Sequence, residues 1–165
     1  MAKKKYFYLG LFSLFMLLSC KHNSAKSTSG IPTPMGNTIF ADTIIYDVII
    51  KNTNPLDHWT NDCLKKLDQT SLVNYIFEIA LSGDYPLFDY FTGDEITPRD
   101  IRKLEKENKD LRLNIGKIQF TEMWYSNDNS TNLNKEVVAI VPGMEIIGLD
   151  GEVRGYKPVF KLQLK

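Results

Sequence analysis

Two cysteines and two histidines are all that 165 residues offer of the side chains that most often bind metals or act as nucleophile and base. So small a count excludes a multi-bridge disulfide framework. It also excludes a histidine pair at metal spacing, because His22 and His58 lie far apart in the chain. Zinc and serine-triad chemistry normally want an ordered histidine, and His22 sits in a polar, structure-poor stretch, so only His58 is on offer. A glycine-rich loop opening a helix is missing, and with it the usual cradle for phosphates. Charge of one sign is missing too: 20 basic residues balance 20 acidic ones. That balance argues against a nucleic-acid partner, which wants a clustered positive face. Finally, no apolar run reaches the ~20 residues of a spanning helix.

What is present is concentrated first at the N-terminus. Lys3, Lys4 and Lys5 precede an apolar stretch over residues 6–18, followed by Ser19 and Cys20. A charged start, a short apolar segment and a small residue at its end read as a secretion signal over residues 1–19. The ending Leu17-Leu18-Ser19-Cys20 resembles the lipobox of bacterial lipoproteins. That resemblance implies cleavage before Cys20 and fatty acyl chains, palmitate among them, on its sulfur and amine. An ordinary secretory signal with a chance cysteine is the alternative. Acyl chains hold a protein to a bilayer at ~0.8 kcal/mol per buried CH2, and more than one chain makes the anchor stable. The expected partner of Cys20 is therefore a membrane. Without the three signal lysines, 17 basic residues face 20 acidic ones, so the remainder is mildly acidic.

Residues 21–36 are rich in Ser, Thr, Gly and Pro and nearly devoid of large apolar side chains. Such a segment cannot bury enough surface to offset its ordering entropy. Residues 20–36 thus read as a lipidated tether, spanning roughly 55 Å when stretched and on the order of 20–25 Å when relaxed. By resemblance to lipoprotein sorting signals, Lys21 after the cysteine implies the outer membrane. The lack of an acidic run there implies a periplasm-facing rather than a surface-displayed domain.

Residues 37–165 form one domain. Residues 43–50 are dense in β-branched side chains and predict a strand. Thr60 can cap a short helix carrying Cys63, Leu64 and Leu67, and Asp68 or Thr70 a second helix over about 71–82, stopped by Gly83. In it Leu72, Tyr75, Ile76, Ile79 and Ala80 recur at helical spacing, widened by Val73, Phe77 and Leu81. Pro86 limits residues 84–91 to a short edge strand. Thr97-Pro98 starts a charged surface helix over about 98–109, with ion pairs such as Asp100 to Lys103. Residues 117–125 alternate, with Ile118, Phe120 and Trp124 on one face and Gln119 and Thr121 on the other. Residues 126–134 read as a polar loop. A strand over 136–141 is interrupted at Pro142-Gly143 and resumes at 144–149. Asp150-Gly151 predicts a two-residue hairpin. The returning strand over 152–164 should bend at Gly155 and Pro158. The sum is an α+β domain: an antiparallel β-meander in the C-terminal half, two or three helices packed on one face, and the first strand at a sheet edge.

Three places carry side chains that could do chemistry or simply support the fold. His58 and Cys63 are the one nucleophile-and-base pair, with Asp57 or Asp62 to orient it, but the motifs of cysteine hydrolases are absent and a buried, inert thiol is the plainer reading, with an intermolecular disulfide or a reactive thiol as the alternative. Asp84, Asp89, Asp94 and Glu95 read either as acid/base or calcium-holding carboxylates, without the Asp-x-Asp-x-Asp-Gly spacing, or as solvated loop charges. Among the aromatics, Tyr90-Phe91 and Trp124-Tyr125 fall at strand ends. There they are either core or, with Glu122, an interaction patch. No catalytic residue, cofactor or metal is expected.

Three segments together resemble a known group: residues 75–77 through Asp89-Tyr90-Phe91, the strand 118–125 with Glu122 and Trp124 in an Ile-x-x-x-Glu-x-Trp-Tyr pattern, and Val138-Ala139-Ile140-Val141-Pro142 leading to residues 158–162. They resemble the GldN/PorN family of gliding-motility and type IX secretion proteins of Bacteroidetes. The resemblance covers residues 72–164 and implies a non-enzymatic periplasmic subunit that assembles with other envelope proteins, a lipoprotein among them. This chain is shorter than typical members and carries its own lipid anchor. A ligand-binding lipoprotein with an aromatic-lined pocket is the alternative.

Overall fold

A computed structural model describes residues 37–54, 56–127 and 132–165. The signal segment, Cys20, the tether and residues 128–131 of the polar loop lie outside them. Strand β1 spans Asn37–Ile49, and two helices follow, α1 over His58–Leu64 and α2 over Gln69–Ser82. Two short strands, β2 (Leu87–Phe88) and β3 (Glu95–Ile96), lead into α3 (Pro98–Glu107) and a 3-10 turn at Arg112–Asn114. The long strands β4 (Ile115–Asn127) and β5 (Asn134–Ile147) then pair, followed by β6 (Val153–Pro158) and β7 (Lys161–Gln163). All seven strands join one antiparallel sheet in the order β1-β4-β5-β7-β2-β3, with β6 also on β5. The fold is α+β with a C-terminal meander, and β1 forms one edge.

Local chemistry explains the helix ends. Asp57 caps α1 and Asp68 caps α2, each carboxylate accepting the backbone N–H three residues on, from Thr60 and Ser71. Gly83 ends α2 in the left-handed region at φ 79°. Thr97 and Asp100 form a reciprocal capping box at α3. Asp100 is therefore committed to Thr97, and Lys103 reaches Glu107 instead of the expected Asp100. The core face of α2 is Val73, Ile76, Phe77 and Ala80, while Tyr75 points outward. These residues pack with Ile101, Ile118, Ile140, Phe160 and Leu162 on one face of the sheet. Phe77 meets Phe160 edge-on at 5.2 Å.

Three strand expectations change. β5 runs unbroken through Pro142, whose carbonyl accepts from Val159 N–H at 2.9 Å. A strand residue's N–H points the same way as its carbonyl, so the missing N–H faces the bend between β6 and β7, where no ladder bond is lost. β2 lies between β7 and β3 instead of at an edge, because Pro86 stops just short of it and its carbonyl still accepts from Gln163. The β5–β6 turn has three residues, not two: Gly151 N–H bonds Gly148 O, and Gly151 takes φ 82° as the closing left-handed residue. The expected bend in the last strand is present and divides β6 from β7.

Candidate functional site

At the far end of β4, Glu122 and Trp124 are two residues apart on one strand and share a face. Glu122 is buried, yet both its oxygens are occupied. Tyr46 on β1 donates its hydroxyl to Oε1 at 2.7 Å, and Trp124 donates its indole N–H to Oε2 at 2.9 Å. Those bonds, Tyr46 first, hold the Glu122 carboxyl below its ordinary range, while the neighbouring carboxylate raises the Tyr46 hydroxyl. Lys135 of β5 lies 4.2 Å from the centre of the Trp124 ring. Trp124 and Tyr125 are half-buried, so the Glu-x-Trp motif works first as a tie between β1 and β4.

Tyr90 and Phe91 belong to the β2–β3 turn and stack edge-on at 5.4 Å. Asp89 builds that turn: its Oδ1 accepts from Phe91 and Thr92 N–H, both at 2.8 Å, and the two donors keep the carboxyl below its usual range. Phe91 is 68% exposed and overhangs a groove of about 400 Å³ beside α3. Ile96, Leu104, Leu111 and Met144 line its floor, and Lys103, Glu107 and Lys157 its rim. Phe91 is its one aromatic. Strands β5 and β7 separate β2 from β4, so the two halves of the sequence-derived patch lie on different parts of the sheet.

The sheet face away from the helices carries a polar chain. Asp47 on β1 accepts from Lys117 Nζ at 2.7 Å and from Gln119 at 3.0 Å, and these donors hold its carboxyl low. Lys117 sits 5.4 Å from the Tyr156 ring. Beside it Glu145 is buried, its Oε2 accepting from Lys51 at 2.7 Å and its Oε1 without a partner. Glu145 fits only because Gly116 has no side chain: a Cβ there would lie 2.6 Å from Oε1.

The thiol of Cys63 is exposed, not buried, because α1 places no residue in the core. His58 is exposed at the start of the same helix, and five residues of helix turn the two side chains to different faces. No hydrogen bond joins them among the described residues. Asp84, Asp94 and Glu95 are also exposed, and no three acidic, histidine or cysteine side chains converge as a metal site among the described residues.

Sequence reading missed the exposed apolar residues of β1. Phe40 is 63% exposed and Ile45 57%, and Tyr46 and Ile49 are each about two-fifths exposed. Trp59 on α1 was missed as well. The β-branched run reads as a buried or half-buried strand at a sheet edge, and nothing in the residues themselves shows which of its apolar side chains stay exposed. The chain matches no known protein-family profile, and no curated protein matches it.

Proposed function

We propose that this protein is an outer-membrane-anchored, periplasm-facing lipoprotein that acts as a non-catalytic interaction subunit of an envelope complex. The anchor is the lipid on Cys20, and the partners are other envelope proteins. What carries the reading is one combination: a lipobox-like signal ending at Cys20, joined through a polar tether to a domain with large apolar side chains exposed along β1. The resemblance to the GldN/PorN family supports placing it with gliding-motility or type IX secretion machinery. The exposed Phe91 and the half-buried Trp124 add contact surface at two further places.

The groove under Phe91 favours a second reading, a lipoprotein that binds a small ligand. Site-specific photo-crosslinking in intact cells separates the two. Probes at Phe40, Phe91 and Tyr125 should each give discrete adducts with envelope proteins if the domain docks on partners. Adducts from none of the three positions would overturn the interaction reading.

A further inference from the structure

The open edge of β1 offers more than apolar side chains. Ile50 N–H bonds Gly116 O across β1 and β4, which fixes the phase of the ladder. Counting back along an antiparallel pair, Val48, Tyr46 and Ile44 turn their N–H and C=O toward β4. Ile45, Asp47 and Ile49 therefore turn theirs outward, and no other described strand pairs with β1. Of the usual protections of such an edge, the regular run over residues 44–49 keeps only the charge of Asp47. Residues 37–49 contain no Lys, Arg or Pro, and both register shifts fall before Ile44, leaving residues 44–49 a regular run. The opposite edge, by contrast, is the two-residue β3.

The side chains of the three outward residues share the helix-free face. Ile45 and Ile49, both exposed, flank Asp47, whose carboxylate already accepts from Lys117 and Gln119 yet keeps 44% of its side chain exposed to a further donor. A second copy of this chain is a poor occupant. A two-fold pairing that matches all three outward residues puts Asp47 opposite its own copy, with like charges directly across the ladder. A strand with a cation at that position and apolar side chains two residues to either side matches both the hydrogen-bonding groups and the charge. We infer that β1 is a strand-addition site, taking an extended partner segment of the pattern apolar-x-basic-x-apolar antiparallel along residues 45–49. The inference rests on reading the protein as an interaction subunit and specifies the contact.

The test uses the full chain in detergent and a blocked peptide, Thr-Val-Thr-Lys-Thr-Val-Thr, with amide hydrogen exchange followed by NMR. Saturating peptide should slow exchange at Ile45, Asp47 and Ile49 by roughly tenfold or more, leaving Ile44, Tyr46 and Val48 unchanged. Replacing the peptide lysine by glutamate should weaken binding about fivefold, and Asp47→Asn should erase that preference. N-methylation of the three peptide amides that face β1 should abolish binding. Unchanged exchange at the three amides, or equal binding by the N-methylated peptide, overturns the inference. So does protection that rises with protein concentration alone, which makes the occupant a second copy. An edge that takes no peptide on a chain that still crosslinks envelope proteins removes this contact only. A chain with no envelope partners removes the proposed function, whatever the peptide does.

Discussion

Tyr46 and Glu122 are 76 residues apart in the chain and 2.7 Å apart in the fold. Their bond fastens the edge strand β1 to β4 at the level where the Glu-x-Trp pair sits. A buried carboxylate with two donors is stable, whereas one stripped of donors is strongly disfavoured. The edge offered to a partner is therefore held from behind on both faces, by Glu122 on one and by the Asp47–Lys117 pair on the other, in addition to the β1–β4 ladder.

Tyr46→Phe should cost about 1.5–3 kcal/mol, the usual value of a hydrogen bond to a charged group, and Trp124→Phe a similar amount. The double variant should lose more than the sum of the two, by at least ~0.5 kcal/mol, because Glu122 then has neither donor. Urea denaturation of the three variants measures this.

Stability should fall on acidification. The carboxyls of Glu122 and Asp47 both have folded pKa values held below their unfolded ones. Each contribution is complete above the unfolded value of about 4 and is lost as pH falls through the lower folded value. Thermal melts between neutral pH and about pH 3 should show the decline, with a shallower slope in Glu122→Gln.

Gly116→Ala should destabilise by about 1–3 kcal/mol through overpacking. The added methyl would lie 2.6 Å from Glu145 Oε1 and 2.8 Å from Tyr156 Cε1, and Lys51 holds the glutamate in place. A mutant with unchanged melting temperature would show that Glu145 can move aside.

Lys51→Met should cost about 2 kcal/mol, since it leaves Glu145 buried with no donor to either oxygen. The Lys51→Met, Glu145→Gln double variant should recover much of the loss, because a neutral amide is cheaper to bury than an unpaired carboxylate. Chemical denaturation of both reads the difference.

The sequence showed the elements whose signal is local. Asp68 and Gly83 bracket α2, Thr97-Pro98 opens α3, and the alternation of Ile118 and Phe120 against Gln119 and Thr121 gives the two faces of β4. What stayed hidden depends on contacts distant in sequence. Pro142 breaks a strand in isolation but is harmless where β6 bends into β7. Cys63 sits on a helix that happens to contribute nothing to the core. Tyr90-Phe91 and Trp124-Tyr125 looked like one patch because sequence does not reveal that two strands intervene. β1 lies at a sheet edge as expected, but which of its apolar side chains stay exposed depends on what packs against them, which no residue of β1 encodes.

The mass of the N-terminal fragment from protein extracted out of bacterial membranes bears most directly on the lipid-anchored docking role. A chain beginning at Cys20 and heavier by its acyl groups is the predicted result. An unmodified Cys20, or a product recovered only in the soluble fraction, would contradict it.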